Sequence, residues 1–106
     1  MDTAAFEDAS RTLLNEHPGD ERGRMLQSRG LKTSGAFHAF ATSSDLVVKL
    51  PAARVAELIE TGTGRPCEPH PGRPMRERVR LTPSDAELCL ACLAEAREFV
   101  TGLATR

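Results

Sequence analysis

Residues 45–51, Asp-Leu-Val-Val-Lys-Leu-Pro, mark the point at which the chain changes from strand to helix. The short apolar run is typical of a strand, and we predict one at residues 45–50. Pro51 then stands where a helix tolerates proline, in its first turn. Gly62 or Gly64 is expected to end the helix, because glycine accepts the left-handed conformation. Between these limits an apolar stripe runs at helical spacing through Val55, Leu58 and Ile59.

Upstream of this point, short apolar runs alternate with small polar breaks, a pattern typical of antiparallel strands joined by tight turns. Apolar residues at helical spacing from Phe6 to Leu14 predict a first helix, which His17-Pro18-Gly19 ends. Residues 20–23 are expected to be a polar connection. The strands predicted in this half of the chain lie at 24–33, 36–42 and 45–50.

Downstream, a proline-rich segment separates the last two elements. Residues 65–75 are expected to form a loop or an edge strand, because proline cannot donate a ladder hydrogen bond. Residues 76–81 alternate charged and apolar side chains and predict a strand. Ser84 and Glu87 stand at capping-box spacing and predict the start of a last helix. The resulting element order, α-βββ-α-β(β)-α, predicts an α+β fold.

The apolar stripes also predict which side chains are buried. In the last helix the stripe begins at Cys89 and continues to Leu103. Large side chains that face a core should be almost fully enclosed. The expected core residues are Leu13, Phe37 or Phe40, Val48, Val55, Leu58, Val79, Leu93 and Phe99.

Size and composition limit the function classes. A length of 106 residues with 40% hydrophobic residues suits a single domain with one modest core. The formal charge of −1 argues against a nucleic-acid binder that is basic over its whole surface. The N-terminus lacks a basic signal-peptide region, and no uncharged run is long and apolar enough to span a bilayer. We therefore expect a cytoplasmic protein without a membrane segment.

Between Arg24 and Leu81 the chain carries an ordered set of short motifs: Gly30-Leu31, Leu46-Val47-Val48-Lys49-Leu50-Pro51, Arg54-Val55, Gly62-Thr63-Gly64 and Gly72-Arg73-Pro74-Met75-Arg76-Glu77. In order and spacing they resemble the N-terminal domain of TfoX/Sxy-type proteins, which are similar in fold to YjbR/MmcQ-like proteins. The resemblance implies one such domain over residues 1–106. It also implies a two-layer fold, in which helices pack on an antiparallel sheet.

The same resemblance implies a regulatory role, because TfoX-type proteins are linked to the regulation of competence genes. Several aromatic positions of that family carry other residues in this chain. The Phe-Gly after the first methionine is replaced by Leu26-Gln27, and the aromatic positions near the end of the matching segment hold Cys67 and Arg78. A ligand surface that depends on those aromatic side chains would be altered here.

Positive charge is concentrated in residues 65–82. Guanidinium forks match carboxylate and phosphate groups, so this strand and loop are a candidate binding surface for a protein partner. Nucleic acid is a less favoured partner than protein, because the basic run lacks the aromatic residues that single-strand binders use for stacking. The alternative is a solvated sheet face. An exposed edge or face also favours a homodimer. The candidate binding residues are Arg65, Arg73, Arg76, Arg78 and Arg80.

A metal or thiol site is the alternative function. Cys67 with His70 and Cys89 with Cys92 form two pairs at the spacing of a structural zinc site. The same thiols are candidates for redox chemistry. Against both, Cys89 and Cys92 fall within the apolar stripe of the last helix, where a free cysteine is usually a core residue. We predict no cofactor, no catalytic residue and no enzymatic activity.

Overall fold

The structure is a computed structural model that describes residues 3–25, 28–68, 72 and 74–104. Within these residues six strands form one antiparallel sheet, in the order β1-β2-β3-β4-β6-β5. This arrangement confirms the predicted α+β class. The elements are α1 (Thr3–Glu16), β1 (Glu21–Met25), β2 (Ser28–Thr33), β3 (Ala36–Ala41), β4 (Leu46–Lys49), α2 (Ala52–Glu60), β5 (Arg65–Pro66), β6 (Arg78–Leu81) and α3 (Ala86–Ala104).

The described helices all pack on one face of this sheet. Helix α3 crosses β2, β3 and β4, α2 covers β5 and β6, and α1 packs chiefly along α3. A single apolar cluster fills the space between the helices and the sheet. Its largest members include Phe6, Leu31, Leu46, Val79 and Leu93. No described helix is long and apolar enough to cross a membrane.

The ends of α2 and α3 follow from local chemistry. Pro51 occupies the N-cap of α2, and Gly62 lies beyond its end with a φ of +79°, a conformation that favours glycine. At the start of α3, an Asp85 carboxylate oxygen accepts a hydrogen bond from the Leu88 backbone N–H at 2.8 Å. Asp85 is therefore the capping residue, and the predicted capping box at Ser84 is wrong by one position.

The first predicted strand, at 24–33, is in fact a hairpin of β1 and β2. Residues 20–23 are not merely a connection, because β1 begins at Glu21. Strand β1 lies at the sheet edge and is mostly polar, so it lacks the alternation that marks a half-buried strand. Residues 65–75 are predicted to be a loop or an edge strand, and within them Arg65–Pro66 forms the edge strand β5. The strand predicted at 76–81 is limited to Arg78–Leu81.

A β-bulge decides which side chains of β3 enter the core. Leu31 pairs with Ala39, but Lys32 pairs with Phe37, so His38 is an extra residue on β3. His38 consequently turns inward, and both Phe37 and Phe40 lie on the face away from the helices. The expectation that one of these phenylalanines is buried in the core is wrong, because both are only half-buried.

The remaining core predictions are confirmed with one exception. Phe99 is partly exposed, whereas the residue that follows it, Val100, is buried. At the C-terminal end of α3 the core-facing side of the helix therefore includes Val100 rather than Phe99. The confirmed core residues are Leu13, Val48, Val55, Leu58, Val79 and Leu93.

Candidate binding face

The sheet face opposite the helices carries a register row that crosses every strand. Gly23 pairs with Gly30, Gly30 with Phe40, and Phe40 with Val47. The row continues from Val47 to Arg80 and ends at Arg65. Registered partners share a face, so these side chains lie side by side. We call this surface the open face; its other charged members are Glu21, Lys32, Asp45, Lys49 and Arg78.

Glycine makes room on the open face for the ring of Phe37. A Cβ atom built on Gly30 would stand 2.7 Å from the Phe37 ring, and one built on Gly23 would stand 3.0 Å from it. Real Cβ contacts do not reach the shorter distance. The Phe37 ring therefore lies across the bare backbone of β2 and β1, and any larger residue at position 30 must displace it.

Cations lie over both phenylalanine rings. The Lys32 ammonium is 5.3 Å from the centroid of Phe37, and the Arg78 guanidinium carbon is 5.9 Å from that of Phe40. Both distances fall within the range of cation–π attraction. One terminal nitrogen of Arg78 is buried and has no hydrogen-bond partner among the described residues. The Phe40 ring thus packs against a guanidinium group that has a hydrogen-bond donor without an acceptor among the described residues.

Asp45 lies immediately before β4, where the Arg65 and Arg80 side chains cover it. Its side chain is 1% exposed and accepts hydrogen bonds from Arg65 and Arg80 on its two carboxylate oxygens. The Thr42 hydroxyl accepts a hydrogen bond from the Asp45 backbone N–H at 2.9 Å. This buried carboxylate orients two arginines that would otherwise be free to move, so it fixes part of the positive surface.

The predicted binding arginines are only partly brought together. Arg65, Arg78 and Arg80 lie on the open face, but two of them are held by Asp45. Arg76 precedes β6 and is exposed, beside a surface cavity of about 270 Å³ that Lys49 and Arg78 also line. Arg73 lies outside the described residues.

Sequence reasoning missed Lys32, Lys49 and the two phenylalanines of β3 as members of this surface. Lys49 could have been found, because it alternates with the buried Val48 at the end of β4. Phe37 and Phe40 could not, because a period of two places them on opposite faces. Only the bulge at His38 brings them to the same face.

On the helix-covered side of the sheet, Asp20, Arg97 and His38 form a buried polar cluster that sequence reasoning also missed. The Arg97 guanidinium on α3 donates to the Asp20 carboxylate at 2.6 and 3.2 Å. Burial alone would raise the pKa of Asp20, but hydrogen bonds from Arg97 and Thr33 outweigh it, and the pKa is lowered. Nearby, His38 is 0% exposed, and neither ring nitrogen has a hydrogen-bond partner among the described residues. Its burial lowers the pKa of His38 to about 4.

Cys89 and Cys92 belong to the apolar packing of α3, Cys89 within the core cluster and Cys92 against it. Burial raises the pKa of Cys89 to about 11. The pKa of Cys92 is also raised, mainly by burial and to a lesser extent by the negative charge of Glu95. Both shifts oppose thiolate formation, which nucleophilic and redox chemistry requires. Within the described residues, no group of three or more His, Cys, Asp or Glu side chains is arranged to hold a metal ion. His70 lies outside those residues, so the four-ligand zinc hypothesis stays a prediction.

Comparison with known proteins adds no identification. No protein family, curated protein or solved structure matches this chain. The resemblance to the TfoX N-terminal domain therefore stays a prediction from the sequence motifs.

Proposed function

We propose that this protein is a non-enzymatic interaction module that binds an acidic protein segment on its open face. One observation carries the proposal. On that face Lys32 lies over Phe37, Arg78 lies over Phe40, and Lys49 is the register partner of Arg78. The carboxylates that the register places there are Glu21 and Asp45, and Glu77 lines the cavity beside Lys49 and Arg78. Such a surface offers both ion pairs and apolar contact area to an acidic segment with hydrophobic side chains.

The ring geometry favours a protein over a nucleic acid. Single-strand binders stack bases on exposed aromatic faces. Here one cation lies over each ring, at 5.3 Å for Lys32 and at 5.9 Å for Arg78. A base would have to displace these cations, whereas a carboxylate can pair with them where they stand. The formal charge of −1 for the whole chain agrees with a local rather than a general affinity for anions.

A binding titration with two substitutions tests the proposal. The probe is a fluorescein-labelled peptide rich in glutamate and phenylalanine, followed by fluorescence anisotropy at low ionic strength. Lys49→Gln with Arg78→Gln removes two cations of the open face without touching Asp45. Loss of charge-assisted hydrogen bonds should weaken binding about tenfold or more. Arg11→Gln is the control, because Arg11 lies on α1 and is paired with Asp8.

Two results would oppose the proposal. Equal affinity of the double variant and the unaltered protein would exclude the open face as the binding surface. Tighter binding of a single-stranded oligonucleotide than of the peptide, at equal probe charge and salt, would replace the protein partner with a nucleic acid.

A further inference from the structure

A second basic site lies at the other face of the sheet, between α1 and the β1–β2 hairpin. It is a cavity of about 450 Å³ whose lining includes Glu7, Arg22, Arg24 and Arg29. Arg22 pairs in register with the core residue Leu31, so its side chain projects toward α1 and away from the open face. The cavity is an open surface cleft, because the side chains of Arg22 and Arg29 remain 44% and 60% exposed.

Charge in this cavity is not balanced. Arg24 and Arg29 are direct register partners, so two guanidinium groups leave neighbouring strands on the same face. Like charges placed opposite each other on a sheet are destabilising. Glu7 compensates part of this repulsion by accepting from Arg29 at 2.6 Å and from Arg22 at 3.3 Å. Among the described residues no acidic side chain pairs with Arg24.

We propose that this cavity binds the phosphate group of a small phosphate monoester. Three arginine forks around one carboxylate leave a net positive charge that a dianion can neutralise, and a tetrahedral phosphate offers enough oxygens to accept from all three. Arg24 is its main contact, because its guanidinium is the one that Glu7 does not hold. Glu7 occupies the acceptor position of a ligand and competes with it for Arg22 and Arg29. The remaining volume takes the organic part of the ester.

This arrangement predicts opposite effects for two substitutions within one cavity. Arg24→Gln removes the main donor and should weaken phosphate binding about tenfold. Glu7→Gln removes the competing carboxylate and releases two arginines, so it should strengthen binding severalfold. Arg11→Gln, on the same helix as Glu7 but paired with Asp8, should leave the affinity unchanged.

The experiment is a calorimetric titration of the full chain with inorganic phosphate and, separately, with ribose 5-phosphate. Far-UV circular dichroism checks that each variant is folded. The proposal requires Glu7→Gln and Arg24→Gln to shift the affinity in opposite directions, and the ester to bind at least as tightly as inorganic phosphate. An affinity that neither substitution changes, a loss of affinity in Glu7→Gln, or weaker binding of the ester would each overturn it. Neither Glu7 nor Arg24 lies on the open face, so a change of affinity in these two variants reports on this cavity.

Discussion

Replacing His38 with leucine should remove most of the loss of stability between pH 6.5 and pH 4. The imidazole is 0% exposed, and burial lowers the pKa of His38 to about 4 from its ordinary value of 6.5. The charge of Asp20 raises this pKa, whereas those of Arg97 and His17 lower it further. In the unfolded chain the ring accepts a proton near pH 6.5, so protonation favours the unfolded state.

The direction and size of the effect follow from these values. Stability from the neutral ring is fully present above pH 6.5 and is lost as the pH falls toward 4. The difference between the two pKa values corresponds to a loss of about 3 kcal/mol across this interval. His38→Leu replaces the ring with an apolar group of similar volume. Because neither ring nitrogen has a hydrogen-bond partner among the described residues, the cost near neutral pH should be small.

Urea unfolding followed by circular dichroism measures this prediction at several pH values between 6.5 and 4. The free energy of unfolding of His38→Leu should fall much less than that of the unaltered protein. Phe40→Leu is the control, because it changes an apolar side chain on the same strand and should keep the original pH dependence. An unchanged pH dependence in His38→Leu would refute the reasoning, and so would an NMR titration of His38 with its ordinary pKa.

Three further changes in stability can be measured by urea unfolding. Leu93→Ala should cost about 2–5 kcal/mol because Leu93 is 0% exposed, whereas Leu88→Ala on the same helix, at a side chain 51% exposed, should cost under about 0.5 kcal/mol. Asp85→Ala should cost about 1 kcal/mol through the lost helix cap, and an equal loss in Ser84→Ala would contradict the assignment. Gly30→Ala should cost about 1–3 kcal/mol, because its new methyl group would stand 2.7 Å from a phenylalanine ring; a neutral result would mean that the ring has an alternative position.

The sequence predicts best where a regular period meets a single buried face. The stripe of α2 and the apolar run of β4 are such segments, and Val48, Val55 and Leu58 are buried as expected. Strand β1 escapes prediction because its side chains meet water and ion-pair partners rather than the core. Glu7 on the preceding helix holds Arg22 across a separation of 15 residues, and no periodic pattern encodes that contact.

The candidate site shows the same division. The concentration of arginines between residues 65 and 80 is visible in the sequence, but their partner Asp45 is not, because a buried carboxylate is tolerated only where distant cations reach it. A single inserted residue has a similar effect on β3. The bulge at His38 interrupts the alternation. Uninterrupted alternation would place one of Phe37 and Phe40 in the core, whereas with the bulge both lie on the face away from the helices.

The position of α3 after all the described strands has a consequence for the order of folding. The hairpins of the sheet join strands that are neighbours in sequence, so they can form while the chain is being synthesised. Helix α3, however, follows every strand, and it supplies the apolar cover for β2, β3 and β4. Until α3 has left the ribosome, Leu31 and Leu46 lack the cover that α3 provides, and the nascent sheet exposes apolar side chains to chaperones and to other chains.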